Sequence, residues 1–239
     1  MEPQQTLREL VVEIPAAARI FEKLGLDYCC GGGQTLEQAC RAGGLVPAQV
    51  MASLQTAEEA RVPREVNWQV QPLSNLIAHI QDRHHIYTRG AIERLAPLFA
   101  KVSGVHGANH TELRHESAIF DGLAQELTMH MMKEEMVLFP YIVRLEEAVL
   151  EKQPAIPPPF GTVQNPIAMM VREHDSAGDA LRALRRFSNG NTAPADGCAS
   201  YRELYRALLE LEADLHQHIH LENNILFPRA VALESSLTV

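Results

Sequence analysis

The segments His130-Met-Met-Lys-Glu134 and His218-Ile-His-Leu-Glu222 decide the fold, because each places a glutamate four residues after a histidine. Leu-Phe-Pro follows both at the same offset, as Leu138-Phe139-Pro140 and Leu226-Phe227-Pro228. Residues four apart lie on the same face of an α-helix, so each copy presents an imidazole nitrogen and a carboxylate to one point. Two such points facing each other predict a metal site.

A further histidine in each half extends the repeat upstream. His84 follows Ile77 by seven residues, and His174 follows Ile167 by the same interval. These two histidines stand 46 and 44 residues ahead of the histidines of the repeated segments. The repeating unit is therefore two helices long. Two units predict four helices that bring four histidines and two glutamates together.

The candidate metal ligands follow from this repeat: His84, His130, Glu134, His174, His218 and Glu222. Four imidazoles and two carboxylates are too many for one tetrahedral zinc ion, and this set of N and O donors suits iron or manganese. Two metal ions fit better. Each would take two histidines, with Glu134 and Glu222 bridging the ions and an oxo or hydroxo group completing the centre.

The remaining histidines are expected to lie outside this centre. His106 falls at the turn between the first two long helices, about 30 Å from the site at the helical rise per residue. His216 and His220 point away from the direction of His218 on the same helix and are expected to face solvent. Four histidines have no counterpart in the repeat and are expected to be structural or surface residues: His79, His85, His110 and His115.

Two more glutamates and one rival motif lie close to the repeat. Glu126 lies one turn before His130 and Glu173 adjoins His174, so either could orient a ligand or handle protons, although exposed helical glutamates are common.

Ferritin-like proteins use Glu-x-x-His on two helices. Glu112-Leu-Arg-His115 matches that motif once and has no counterpart in the second half. A ferritin-like oxidising enzyme is therefore disfavoured.

Composition narrows the class of protein. The chain has 239 residues and a formal net charge of -9, and it lacks the basic stripe that nucleic-acid binding requires. No segment approaches the roughly 20 apolar residues of a membrane span, and no signal peptide is recognisable. The four cysteines show no disulfide-scaffold spacing. These features predict a cytoplasmic protein whose partners include neither nucleic acid nor membrane.

Helix signals and breakers predict an all-α fold that begins with a small helical domain at residues 1–60. Within it, Gly25 ends one helix. Thr35 and Gln38 are spaced as a capping box for the next helix, and Pro47 starts another. Because apolar and polar residues rarely alternate for long, no strand is predicted.

Residues 61–72 are predicted to be a linker, and residues 73–235 a four-helix bundle. The linker contains prolines and the single tryptophan of the chain. The bundle contains four long helical segments, at roughly 72–102, 108–151, 164–188 and 197–234. Short connections join antiparallel neighbours, which favours up-down-up-down topology.

The glycine-rich segment after residue 28 is the second chemical feature, and it makes Cys29 and Cys30 the candidate catalytic residues. Adjacent cysteines rarely form a disulfide because the ring is strained, so both are expected to be free thiols. The neighbouring glycines favour an exposed loop, although two small buried residues that pack a turn are the alternative. Exposure near a helix start favours the thiolate, which binds iron or accepts nitrosyl groups. Cys40 and Cys198 receive no role.

Taken together, these residues resemble those of the iron-sulfur cluster repair di-iron proteins, whose second domain is a hemerythrin-like bundle. The resemblance covers nearly the whole chain. The segments that carry it are Asp27-Tyr28-Cys29-Cys30-Gly31-Gly32, Asp82-Arg83-His84, His130-Met-Met-Lys-Glu134-Glu135, Glu173-His174-Asp175 and His218-Ile-His-Leu-Glu222-Asn-Asn-Ile-Leu-Phe-Pro.

The resemblance implies a cofactor of two iron ions in a non-haem, oxo- and carboxylate-bridged centre. It implies a stress response in which iron-sulfur clusters damaged by nitric oxide or peroxide are repaired, with iron-sulfur proteins as clients and nitric oxide or oxygen as small ligand. Some members are associated with nitric-oxide binding or reduction in denitrifying bacteria. A homodimer is compatible with this interpretation, and the Cys29-Cys30 loop would relay iron, electrons or a nitrosyl group. Nitric-oxide reduction, iron transfer and non-catalytic gas binding all stay open.

Overall fold

The computed structural model describes residues 2–14, 16–59, 66–153 and 157–237. Within these ranges the chain is all-α and has no β-strand, which confirms the predicted fold class. Residues 61–65 of the predicted linker lie outside the described residues. The N-terminal part contains four short helices: Leu7–Glu13 (α1), Ala17–Leu24 (α2), Leu36–Gly43 (α3) and Pro47–Glu59 (α4).

Local capping fixes the connection between α2 and α3, which contains the paired cysteines. Gly25 ends α2 in the left-handed conformation, with φ at 67°, which costs glycine little because it has no Cβ. The Thr35 side chain accepts a hydrogen bond from the Gln38 backbone, and the Gln38 side chain accepts one from the Thr35 backbone. This capping box is the one predicted from the sequence.

Four long helices form the bundle, spanning residues 73–106, 112–151, 164–187 and 199–237. The first packs against the second and the fourth, and the second packs against the third. Their shared core includes Leu95, Phe99, Phe120, Leu208 and Leu211, all at most 3% exposed. Burial of each such side chain contributes about 1.5–3 kcal/mol. Within the described ranges, no helix has the length and apolar character needed to cross a bilayer.

Three of the bundle helices contain one π-helical turn each, at Ile80–His85, Glu134–Leu138 and Glu222–Leu226. The third helix, Gln164–Phe187, is α-helical throughout. A π turn holds one residue more than an α turn, so it rotates every later side chain by about 100° around the axis. In the second and fourth helices, Phe-Pro directly follows the turn. Proline cannot donate the usual backbone hydrogen bond and clashes with the preceding turn, which favours the wider π geometry there.

The N-terminal part packs on the fourth bundle helix. Ile219 belongs to the same apolar cluster as the cores of α1 to α3, and His216 Nδ1 lies 2.7 Å from Glu22 Oε1. His220 is only 6% exposed. The prediction that His216 and His220 face solvent was therefore wrong. Helix periodicity places them away from His218, but it does not show that another part of the chain covers that face.

Candidate metal centre

Six side chains from the four bundle helices meet in the buried middle of the bundle: His85, His130, Glu134, His174, His218 and Glu222. They form two groups, and both groups contain the same two glutamates. His85 and His218 belong to the first group, and His130 and His174 belong to the second. In each group the potential ligand atoms all lie within 4.8 Å of one another.

The imidazole nitrogens converge in pairs. His85 Nε2 lies 3.2 Å from His218 Nε2, and His130 Nε2 lies 3.0 Å from His174 Nε2. Two nitrogens bound to one cation at about 2.1 Å stand roughly 3 Å apart when their bonds are near a right angle. Each pair therefore has the spacing of two ligands to a common ion.

The structure brings five of the six predicted ligands together and places His84 elsewhere. His84 Nδ1 faces Asp214 Oδ2 at 3.1 Å, and its neighbour His85 takes the position beside the two glutamates. The π turn Ile80–His85 is the reason, since it adds one residue between Ile77 and the histidine that points inward. The third helix has no such turn, so the spacing read from His174 does not transfer to the first half.

The carboxylates supply the test of whether this site fits metal ions. Both oxygens of Glu134 and both oxygens of Glu222 are buried, and none of them accepts a hydrogen bond from any described residue. They lie only 3.1–3.4 Å from the imidazole nitrogens of the cluster. A buried, unpartnered carboxylate costs several kcal/mol. Four such oxygens facing four imidazoles fit a pair of cations.

Outer hydrogen bonds set the tautomer of three of the imidazoles. Nδ1 lies 2.7 Å from Glu135 Oε1 in His85 and 2.9 Å from Glu173 Oε2 in His130. In His174, Nδ1 lies 2.9 Å from Asn223 Oδ1. These acceptors hold the proton on Nδ1, which leaves the Nε2 lone pair directed at the centre, as ligation requires. Lys133 pairs with Glu173, so that acceptor stays ionised.

The charges in the centre favour bound positive charge. Burial would raise the pKa of Glu222, but His218 and His174 lower it well below its usual range. Burial likewise acts to lower the pKa of His130, but Glu134, Glu222 and the contact with Glu173 outweigh it and raise that pKa to about 9. Burial and Glu222 act to raise the pKa of Glu134, but His130 and His85 outweigh them and lower it, so both glutamates are ionised. They attract cations, whether protons on the imidazoles or metal ions between them.

A small cavity of about 10 Å³ adjoins the second group of ligands, between the second, third and fourth helices. Its lining includes His130, His174 and Glu126, and its volume is about that of one water molecule. Glu126 accepts a hydrogen bond from Ser176 Oγ at 3.0 Å. Glu173 contacts the candidate ligand His130 directly. Glu126 does not, and it lines the cavity beside that ligand.

The paired cysteines lie against the bundle close to His174. Cys30 Sγ is 3.5 Å from the His174 carbonyl oxygen. Gly178, one turn further along the third helix, lies beside that sulfur, since a Cβ added there would be 3.4 Å from it. Asn223 donates to the Cys29 carbonyl at 3.3 Å, so the residue that orients His174 also holds the loop.

The predicted exposure of the thiols was wrong for Cys29. Both cysteines are free, with Sγ atoms 3.8 Å apart, but Cys29 is only 2% exposed, whereas Cys30 is half-buried. The hydrogen bond with Cys30, burial and the nearby Asp27 carboxylate raise the pKa of Cys29 well above its usual value. The glycines allow the loop to fold closely onto the bundle, and they do not expose it to solvent.

Two family models match the chain. Residues 3–58 match one described as a domain of unknown function, DUF542. Residues 76–230 match the hemerythrin HHE cation binding domain.

Three bacterial relatives match over almost their whole length, and each bears the name iron-sulfur cluster repair protein YtfE. The protein of Musicola paradisiaca is 38% identical over 97% of this chain and 98% of its own. The protein of Citrobacter koseri is 38% identical over 96% and 98%, and that of Cronobacter sakazakii is 39% identical over 96% and 97%. This chain belongs to the iron-sulfur cluster repair protein family. As a family member, it has a cation-binding hemerythrin domain preceded by a small helical N-terminal part.

Three residues of the candidate centre were not predicted from the sequence: His85, Glu135 and Asn223. Glu135 and Asn223 each directly follow a repeated glutamate, which is the signal that could have drawn attention to them. For His85 the only signal is its adjacency to His84. A choice between the two requires the position of the π turn, which the spacing of apolar residues does not show.

Proposed function

We propose that this protein holds two iron ions at the candidate metal centre and repairs iron-sulfur clusters damaged by nitrosative or oxidative stress. The observation that carries the proposal is the pair of four-residue groups that share Glu134 and Glu222. The names of the relatives support the repair function, and the matched cation binding domain supports the metal.

The proposed ligands divide into two sets around the shared carboxylates. His85 and His218 would hold one ion, His130 and His174 the other, and Glu134 and Glu222 would bridge them. Imidazole is a borderline donor and carboxylate a hard one, and a mixed set of these donors suits iron. Bound iron supplies one-electron exchange and an affinity for nitric oxide or dioxygen.

The protein's own residues position these ligands and restrict access to them. Glu135, Glu173 and Asn223 hold three imidazoles in the ligating tautomer, and such outer contacts typically change metal affinity 10- to 100-fold. The small cavity beside His130 and His174 has room for about one water-sized molecule. That size favours nitric oxide or oxygen as the small ligand over an organic substrate.

Cys30 is the better placed of the two candidate thiols for a relay. Its sulfur lies against the backbone of His174 and is half-buried, whereas Cys29 is enclosed. We therefore assign to Cys30 the transient binding, as its thiolate, of iron that passes between the centre and a client iron-sulfur protein, with Cys29 as its buried neighbour. Because the cysteines are free thiols, a reducing cytoplasmic location is part of the same proposal.

A Glu134→Gln variant tests the proposal, because it removes one bridging carboxylate while it preserves the shape of the side chain. We expect the wild type to contain about two irons per chain and to restore the activity of an iron-sulfur enzyme inactivated by nitric oxide, and the variant to lose both properties. Glu147→Gln is the matched control, since Glu147 is an exposed glutamate on the same helix. Full iron content and repair by Glu134→Gln would contradict the ligand assignment. Reversible gas binding by the wild type without repair or turnover would favour gas buffering instead.

A further inference from the structure

A separate cluster of side chains that could bind a metal ion lies at the end of the bundle where the first helix ends and the fourth begins. It consists of His106, at the end of the first helix, His110, in the turn that follows, and Asp196, in the loop that leads to the fourth helix. One potential ligand atom from each lies within 4.8 Å of the other two. His106 stands 21 residues beyond His85, which is about 30 Å along the helix. This group is therefore independent of the candidate metal centre.

His110 has the hydrogen bonding of a metal-ligating histidine. Its Nδ1 lies 3.0 Å from Glu112 Oε1, and its Nε2 lies 3.1 Å from each oxygen of Asp196. A carboxylate on the far nitrogen that fixes the tautomer is the usual companion of a ligating imidazole. With the proton held by Glu112, the Nε2 lone pair of His110 faces the Asp196 carboxylate, and a cation between them would satisfy both.

His106 has one buried ring nitrogen without a partner in the described part of the chain. Its Nε2 is buried and has no hydrogen-bond partner among the described residues. On the opposite loop, Cys198 forms the N-cap of the fourth helix. Its thiol lies near the His106 imidazole. A neighbouring thiol is thus available that reports on the state of His106.

We propose that His106, His110 and Asp196 form a zinc site that ties the turn after the first helix to the loop before the fourth. Two imidazoles and one carboxylate are a common set of protein ligands for zinc, with a fourth position left for water. The two connections belong to different halves of the chain. An ion bound by all three residues would therefore crosslink these two connections, about 30 Å from the candidate metal centre.

The test uses the iron-loaded full-length protein and zinc itself as the probe. We expect one zinc ion to bind per chain without loss of iron, in competition with a chromophoric chelator. We also expect zinc to slow the alkylation of Cys198 at least several-fold, measured by mass spectrometry of the modified peptide. In His110→Ala and Asp196→Asn, both effects should disappear. His115→Ala is the matched control, because His115 is an exposed histidine in the first turn of the second bundle helix and should leave both effects intact.

Three results would overturn the zinc site. Equal zinc affinity in wild type, His110→Ala and Asp196→Asn would place the ion elsewhere, as would release of iron in proportion to the zinc bound. Unchanged alkylation of Cys198 in zinc-saturated wild type would show that the ion does not sit beside His106. Thermal unfolding of each variant verifies folding, so that a loss of zinc binding is not confused with a loss of structure.

Discussion

His84 and His85 are adjacent in the chain, yet they face different partners: His85 Nε2 lies 3.2 Å from His218 Nε2, and His84 Nδ1 lies 3.1 Å from Asp214 Oδ2. A side chain one position along a helix points about 100° away. The π turn Ile80–His85 therefore decides which of the two imidazoles enters the bundle centre.

This divergence predicts different effects on iron binding for two adjacent substitutions. His85→Ala should lose at least one of the two irons, because the first group would keep a single imidazole. His84→Ala should retain both irons, although the His84 ring stacks on His218 at 5.6 Å and its removal should lower stability modestly. Iron quantification and optical spectra of both variants measure the difference. The opposite pattern would show that His84 is the ligand and would contradict the position of the π turn.

Much of the centre could be predicted because its signals are local. The His-x-x-x-Glu pairs need only helical periodicity, so His130, Glu134, His218 and Glu222 followed directly from spacing. The ligand from the first helix, His85, could not be predicted in this way, because a π turn rotates the later side chains around the helix axis and leaves no regular pattern in the sequence. The packing of the N-terminal part on the fourth bundle helix could not be predicted either. It depends on contacts between segments almost 200 residues apart, such as that of His216 with Glu22.

Asn223 links the candidate centre to the cysteine loop, so its removal should affect both. In Asn223→Ala, the His174 imidazole loses the acceptor for its Nδ1 proton and the Cys29 carbonyl loses a donor. We expect iron to be released to a chelator about 10 to 100 times faster. Asn224→Ala is the matched control, because Asn224 holds the neighbouring Tyr28 carbonyl but contacts no candidate ligand. Equal release rates in the two variants would show that Asn223 does not orient His174.

The close fold of the cysteine loop predicts a contrast between two neighbouring glycines. A Cβ on Gly32 would lie 2.5 Å from the Tyr28 carbonyl oxygen, which is backbone and must shift, whereas a Cβ on Gly33 would meet no atom within 4 Å. Gly32→Ala should therefore lower the free energy of unfolding by roughly 1–3 kcal/mol and should speed the alkylation of Cys30. Gly33→Ala should change neither quantity. Chemical denaturation and peptide mass spectrometry measure the two effects. Similar behaviour of both variants would mean that the loop does not need this tight turn.

A pH-dependent stability is expected from Glu116, which lies deep in the bundle core. This side chain is fully buried and accepts one hydrogen bond, from the Tyr205 hydroxyl at 3.0 Å. Burial raises its pKa from 4.5 to about 7, although the Tyr205 hydrogen bond acts in the opposite direction. Because the folded pKa lies above the unfolded one, the folded state favours the protonated acid. The stability from this group is present below about pH 4.5 and is lost as the pH rises through about 7.

Glu116→Gln should therefore be more stable than the wild type at pH 8, by up to about 3 kcal/mol if the whole shift is expressed. The difference should shrink steadily as the pH falls toward 5, because the wild-type carboxyl group then becomes neutral like the amide. Urea unfolding of both proteins at several pH values between 5 and 8 measures this difference in the free energy of unfolding. Glu147→Gln, which replaces an exposed glutamate, should track the wild type throughout. A stability difference for Glu116→Gln that does not vary with pH would show that Glu116 does not titrate in this range.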